Sequence, residues 1–353
     1  MSKVLVTGGT GFLGRHLVET LLSDGHEVVS LVYRGERASD ALATGNGSAA
    51  SSPPRPPSTS SRGVTEVEGN VLDGASVERA AQGCDAIFHC AGKVSRDPAD
   101  AEVLHRIHVE GTKTALDAAR AAGIKRAVVA STSGVVAVSK KPKPIPDERS
   151  AAPMELIGSW PYYRTKLFAE MAAFERNGPE FAVVCVNPSL LLGPGDILGS
   201  STGDVVDFLE RRIPAIPGGG MSFVDARDAA RGLVLALEHG KPGERYLLAA
   251  QNLTMRAFCE KLSRISGVPM PAMQMPKSPT FGIIGATLAE KLAKRLNTEP
   301  LVDKVSAEMA QYYWYADSTK ARTELGWEPR DPMDTLADTI EDLRSRGVVW
   351  PAA

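Results

Sequence analysis

The sequence predicts an α/β fold, a doubly wound parallel sheet with helices on both faces and a smaller C-terminal lobe. Three observations predict it. The chain opens on a short apolar run, Val4-Leu5-Val6, followed at once by glycines. A helical stretch and a second β-rich run, Glu27-Val28-Val29-Ser30-Leu31-Val32, come next. Strand-like and helix-like segments then alternate up to about residue 190. Parallel neighbours need a crossover between them, so strand, turn, helix and strand in that order form the unit of a parallel sheet.

Each element has its own signal. Residues 3–7 read as a buried strand, and residues 12–24 as an amphipathic helix that Gly25 ends. Val64–Val67, Ala86–Cys90, Ala127–Ser131 and Phe181–Val186 are further strand candidates. Helical stretches lie at 75–82 and about 100–122, and another starts at Pro161, a residue suited to a first helical turn. Residues 38–63 are rich in Ser, Pro and Gly, cannot bury a core, and predict a disordered surface insertion. Beyond about residue 195 the pattern loosens, with Gly and Pro punctuation. The expected organisation is therefore a sheet-forming domain over 1–190, interrupted at 38–63, and a lobe over 191–353 interleaved with the same sheet.

Composition narrows the function classes. Hydrophobic residues make up 43% and charged residues 23%, the balance of a soluble globular protein. A formal net charge of -2 provides no basic field for nucleic acid. Cys84, Cys90, Cys185 and Cys259 form no Cys-x-x-Cys, so neither a zinc site nor a disulfide framework is expected, and a reducing cytoplasm fits. The start of the chain lacks the apolar stretch of a signal peptide, and no uncharged apolar run is long enough for a bilayer.

The turn after the first strand carries Gly8, Gly11 and Gly14. The first permits a sharp turn, the second lets a pyrophosphate approach the backbone, and the third lets helix and strand pack closely. Amides at the helix start, around Thr10, Phe12 and Leu13, then face the phosphates. In this context the turn predicts dinucleotide binding, with a purely structural glycine loop as the alternative. An acid at the end of the second strand would bind the ribose hydroxyls of NAD(H). The sequence has Val32-Tyr33-Arg34-Gly35-Glu36-Arg37 there. Arg34 and Arg37 suit a 2′-phosphate, which favours NADP(H) over NAD(H), unless both are solvated surface charges.

Tyr162 and Lys166 lie four apart in Pro161-Tyr162-Tyr163-Arg164-Thr165-Lys166 and so share one helix face. An ammonium beside a phenol lowers its pKa and yields a general acid/base for a carbonyl or alcohol. Tyr163 is a rival in the wrong register. Ser131-Thr132-Ser133 ends a predicted strand, where substrates bind in such sheets. Ser133 is the candidate for steadying the substrate oxygen, with Ser131 and Thr132 as rivals. On their own, these residues also read as an amphipathic helix and ordinary strand-end hydroxyls.

Together they resemble the extended and atypical short-chain dehydrogenase/reductase superfamily. The likeness is greatest to its dihydroflavonol-reductase-like and 3β-hydroxysteroid-dehydrogenase-like branch, within the NAD-dependent epimerase/dehydratases. Apart from 38–63 it extends over nearly the whole chain. Gly69-Asn70-Val71-Leu72-Asp73 is similar to an adenine-contacting segment, with Asn in the Asp place. Phe88-His89-Cys90-Ala91-Gly92 is similar to the strand end beside the cofactor, and Asn187–Gly195 to the segment at the nicotinamide amide. Phe223–Ala230, Asp317–Ala321 and Leu325-Gly326-Trp327 extend the likeness. The resemblance implies a Rossmann fold, a Ser133–Tyr162–Lys166 catalytic set, and Lys166 on the nicotinamide ribose. It also implies cofactor contacts from Asn70, Val71, Ala91, Gly92, Lys93, Tyr162, Pro188, Ser189 and Leu191. A dimer through the 100–122 and 161–176 helices is the family's habit. Two departures stand out: the long polar insertion after the second strand, where the 2′-phosphate would sit, and the family's Asn-Val-x-Gly-Thr, which is here His108-Val109-Glu110-Gly111-Thr112. The second puts any relay role of that Asn in doubt; His108 is expected to pack in its helix or face solvent, with a stand-in for the Asn as the alternative.

The expected activity is hydride transfer to or from a hydrophobic carbonyl or alcohol of aromatic, polyketide, steroid or isoprenoid type. The stretch before Phe223 has no Arg for a sugar diphosphate. Met270, Met273, Met275, Phe281, Ile283, Ile284 and Leu288 offer adaptable apolar surface, or plain core. Phe281–Leu292 with Lys291, Lys294 and Arg295 reads as a packed helix or as a basic amphipathic one touching a membrane. Two alternatives remain. One is a nucleotide-sugar epimerase or dehydratase that retains NAD. The other is a non-catalytic dinucleotide sensor, against which Ser133, Tyr162 and Lys166 argue.

Overall fold

The computed structural model describes residues 2–33, 63–275 and 304–350. Arg34, Arg37, the insertion from 38 to 62, and the 281–295 stretch with Phe281, Ile283, Ile284, Leu288, Lys291, Lys294 and Arg295 lie outside the described residues.

The strands are β1 Lys3–Thr7, β2 Glu27–Val32, β3 Val64–Glu68, β4 Ala86–His89, β5 Arg126–Ala130, β6 Ala182–Pro188, β7 Leu190–Leu192, β8 Gly220–Asp225, β9 Arg245–Leu248 and β10 Gln251–Thr254. Seven form the central sheet in the order β3-β2-β1-β4-β5-β6-β9, with every pairing parallel. The order β10-β8-β7 forms a second, small sheet. The helices are α1 Phe12–Ser23, α2 Gly74–Ala81, α3 Ala101–His105, α4 Gly111–Ala121, α5 Met154–Ile157, α6 Pro161–Phe174, α7 Gly203–Leu209, α8 Ala226–His239, α9 Met255–Ser266, α10 Lys304–Met309, α11 Thr319–Leu325 and α12 Pro332–Ser345. The π turn Arg106–Glu110 joins α3 to α4 in one run.

The strands of a doubly wound sheet are buried on both faces, and their alternation shows how. Val4, Val6, Phe88, Val128, Val184 and Val186 point to one face, where α1 and α8 pack with Trp327. Leu5, Ile87, Ala127, Val129, Val183 and Cys185 point to the other, beneath α2 and α4. A one-residue slip of any of these strands would exchange two apolar sets shaped for different helices. A third core holds the C-terminal lobe together: Phe208, Phe223, Phe258, Leu262, Leu336 and Ile340 converge between the small sheet, α7, α9 and α12.

The sequence reading of irregularity past residue 195 is replaced by definite elements. β9 returns to the central sheet, and Asp225 caps α8 by accepting from the Arg227 amide. The core positions of α8 are largely alanine and glycine, a weak apolar signal that hid the helix. Among the described residues, no helix is long and apolar enough to cross a membrane.

Strand order reverses between β1 and β4, and a crevice forms outside the carboxyl ends of the strands at such a switch point. The glycine turn sits there. A side chain on Gly8 would lie 2.6 Å from the Ala91 amide nitrogen, and one on Gly14 would strike the Gly8 carbonyl oxygen. Gly14→Ala is therefore expected to cost about 1–3 kcal/mol by overpacking. Thermal unfolding checks this. An unchanged midpoint would mean that α1 and the turn are not in contact as described.

Candidate active site

The carboxyl ends of β1, β4, β5 and β6 bring the sequence-predicted residues to one edge of the sheet. Gly8 to Gly14 follow β1, Ala91 to Lys93 follow β4, Ser133 follows β5, and Ser189 and Leu191 follow Pro188, the last residue of β6. Asn70 and Val71 follow β3. The Asn70 side chain accepts from the Leu72 amide at 2.9 Å and so shapes its own loop, while Val71 packs on Gly111.

The turn fits a dinucleotide. Gly11 has only the Gly8 carbonyl near its missing side chain, at 3.3 Å. α1 starts at Phe12 with no side chain capping its first amides, as a phosphate site requires. Ser189 Oγ is buried and has no hydrogen-bond partner among the described residues, a costly state that a ligand amide would relieve.

Tyr162 and Lys166 project from the first two turns of α6. Lys166 Nζ donates to the Ala130 carbonyl at the end of β5, at 2.7 Å. Ser133 is buried in the short 3₁₀ turn Ser133–Val135 three residues further on. One turn below Lys166, the buried Glu170 pairs with Arg245 of β9 at 2.7 Å and accepts from Asn187 Nδ2 of β6 at 2.6 Å. Asn187 Nδ2 also donates to the Thr132 carbonyl at 3.1 Å. The strand end bearing Ser133 and the helix bearing Tyr162 and Lys166 are thus tied to the same sheet from two sides.

Burial raises the Tyr162 phenol above its ordinary value, and Tyr163 adds to the rise. Lys166 is shifted down by burial against the opposing pull of Cys90, Glu170 and Cys185. The direction at Tyr162 is opposite to the one expected from a neighbouring ammonium. The physical reason is desolvation, while the Lys166 amine is bonded to the Ala130 carbonyl.

Residues 4–249 match the family model described as the NAD dependent epimerase/dehydratase family. The chain belongs to this family. It is an NAD(P)-dependent oxidoreductase of the extended short-chain dehydrogenase/reductase type. It is 34% identical to a putative dihydroflavonol 4-reductase of Synechocystis sp., over 98% of this chain and 95% of that one. It is 30% identical to sterol demethylase protein B of Methylococcus capsulatus, over 98% and 99%. The crystal structure of gox2253 superposes with a TM-score of 0.79 at 27% identity, covering 99% of this chain and 100% of that one.

Two features of the oxidoreductase site escaped sequence reasoning. One is an aromatic wall. The Tyr163 ring lies where a Gly134 side chain would be, 4.8 Å from Trp314 and 5.0 Å from Tyr162 between ring centres. Trp160 closes on Tyr312 and Trp314, both at 5.5 Å. The run Tyr312-Tyr313-Trp314-Tyr315 was the available signal. The other is a pair of buried histidines. His89 bridges Thr7 Oγ1 (2.8 Å) and Thr112 Oγ1 (3.1 Å). His108, expected in helix packing or solvent, instead bridges Thr165 and Lys93.

Burial, with the Lys166 charge adding to it, pulls both imidazoles down to about 3. In the unfolded chain they protonate below about 6.5. The unfolded state therefore binds more protons between those values, and stability is lost as pH falls through that window. The loss is about 1.4 kcal/mol per pH unit for each histidine. Unfolding free energies measured from pH 7 to 4.5 should show a shallower fall in His89→Asn than in the parent enzyme. An equal slope would mean that His89 is not held neutral.

Proposed function

We propose that this enzyme reduces a hydrophobic ketone, with NADPH as the preferred cofactor and Ser133, Tyr162 and Lys166 as its catalytic residues. The observation that supports this reading is that α6, which carries Tyr162 and Lys166, packs on the turn that starts at Ser133, with Lys166 bonded to Ala130 at the end of β5. The bound dinucleotide would supply the hydride. Tyr162 would give its phenolic proton to the carbonyl oxygen. Ser133 would donate to the same oxygen and steady its growing charge. Lys166 would stabilise the phenolate left behind, once the reaction has made it.

The substrate class rests on the wall beside Tyr162. Tyr163 and Trp314 present partly buried aromatic rings backed by the buried Trp160 and Tyr312, which suits a flat or apolar ligand. The two relatives, a putative dihydroflavonol 4-reductase and sterol demethylase protein B, point to the same class. The preference for NADPH rests on β2, which ends Leu31-Val32 without an acid, and on Arg34 and Arg37 after it.

A panel of aromatic, steroid and isoprenoid ketones with NADPH and NADH, read at the nicotinamide absorbance, tests the reading. Consumption of NADPH with at least one ketone is expected. Tyr162→Phe should lower that turnover by about 100-fold or more while NADPH binding stays within about twofold. NAD that stays bound through purification, with no net consumption of added cofactor, would instead favour a nucleotide-sugar epimerase or dehydratase.

A further inference from the structure

We propose that His108 is a positioning residue that fixes the start of the catalytic helix against the strand end beside the cofactor turn. This rests on the assignment of Tyr162 as the proton donor. His108 sits at the middle of the π turn Arg106–Glu110, a widening that recurs at functional sites. Its ring is buried and reaches in two directions. Nδ1 lies 2.9 Å from Thr165 Oγ1, and Nε2 lies 3.2 Å from the Lys93 amide nitrogen and 3.0 Å from the Lys93 carbonyl. Thr165 Oγ1 is in turn 2.8 Å from the Pro161 carbonyl and 3.0 Å from that of Tyr162. The imidazole also meets the Tyr162 ring edge-on, at 5.7 Å between centres.

Either neutral tautomer satisfies both nitrogens. With the proton on Nε2, the ring donates to the Lys93 carbonyl and accepts from the Thr165 hydroxyl. With the proton on Nδ1, it donates to Thr165 Oγ1 and accepts from the Lys93 amide. In both cases one ring spans from the end of β4 to the turn of α6 that carries Tyr162. At the other end, a side chain on Gly92 would lie 3.4 Å from Nε2, in ordinary contact with the ring. The ring passes no proton to substrate. It sets where the phenol stands.

Two variants divide the ring's work. An asparagine amide reaches about as far as Nδ1, so His108→Asn keeps the Thr165 contact and gives up Lys93. A glutamine amide reaches about as far as Nε2, so His108→Gln keeps Lys93 and gives up Thr165. Each should lower kcat on the best ketone about 10- to 100-fold, with KM for that ketone and NADPH affinity within about twofold. Thr165→Val added to His108→Gln should cost nothing further, because both remove the same link. A role in stability alone would lower the unfolding midpoint and leave kcat untouched. Wild-type turnover in His108→Gln, or costs that multiply in the double variant, would overturn the proposal.

Tyr162 ring resonances in labelled protein provide a readout that needs no substrate. They should shift alike in His108→Gln and Thr165→Val, and unchanged resonances would also overturn it. If the wild-type enzyme reduces no ketone while those resonances do shift, the assigned activity fails and the His108 link stands.

Discussion

The 2.7 Å hydrogen bond from the Lys166 ammonium to the Ala130 carbonyl is the constraint on which the rest of the site depends. A half-buried ammonium is costly, and it is tolerated here because a carbonyl at the end of β5 accepts from it and Glu170 lies one turn away. The bond sets the height of α6 above the sheet. Tyr162, one turn earlier, therefore stands at the level of the strand end, where Ser133 begins its 3₁₀ turn. If α6 moved along its axis by one residue, lysine and tyrosine would both leave that edge.

Around this bond, buried polar groups link the elements of the core. Glu170, Asn187 and Arg245 join α6 to β6 and β9, and Asn187 holds the Thr132 carbonyl as well. His89 joins the end of β1 to α4 through two threonines. These links cross between elements of the core, although Asn187 Oδ1 has no hydrogen-bond partner among the described residues. The arrangement shares its load with the glycine turn. Gly8 allows the Cys90–Ala91 backbone to come close, and Gly14 allows α1 to pack against the turn.

The sheet was legible because its signals are local. Short continuous apolar runs, glycine at Gly8, Gly11 and Gly14, and a second run ending at Val32 suffice for a parallel order. Tyr162 and Lys166 were legible for the same reason, since four residues on a helix fix their common face. Three things were not legible. The direction of the Tyr162 shift depends on how much water the fold excludes, which spacing does not reveal. The aromatic wall joins Trp160 and Tyr163 to Tyr312 and Trp314, far apart in the chain. The role of His108 depends on a π turn that re-aims its ring, and the sequence showed only that histidine stands where the family has asparagine. The lobe beyond residue 195 was blurred by strands of three or four residues and by the alanine-rich face of α8.

The central claim is that this site transfers hydride between an exchangeable nicotinamide cofactor and an external carbonyl. Single-turnover reaction with NADPH deuterated at the transferred C4 position, followed by mass spectrometry of the alcohol, tests it most directly. The account predicts one deuterium on the carbinol carbon of the product and one equivalent of NADP+ released. Unlabelled product from cofactor that stays on the protein and returns its hydride to the same molecule would contradict it.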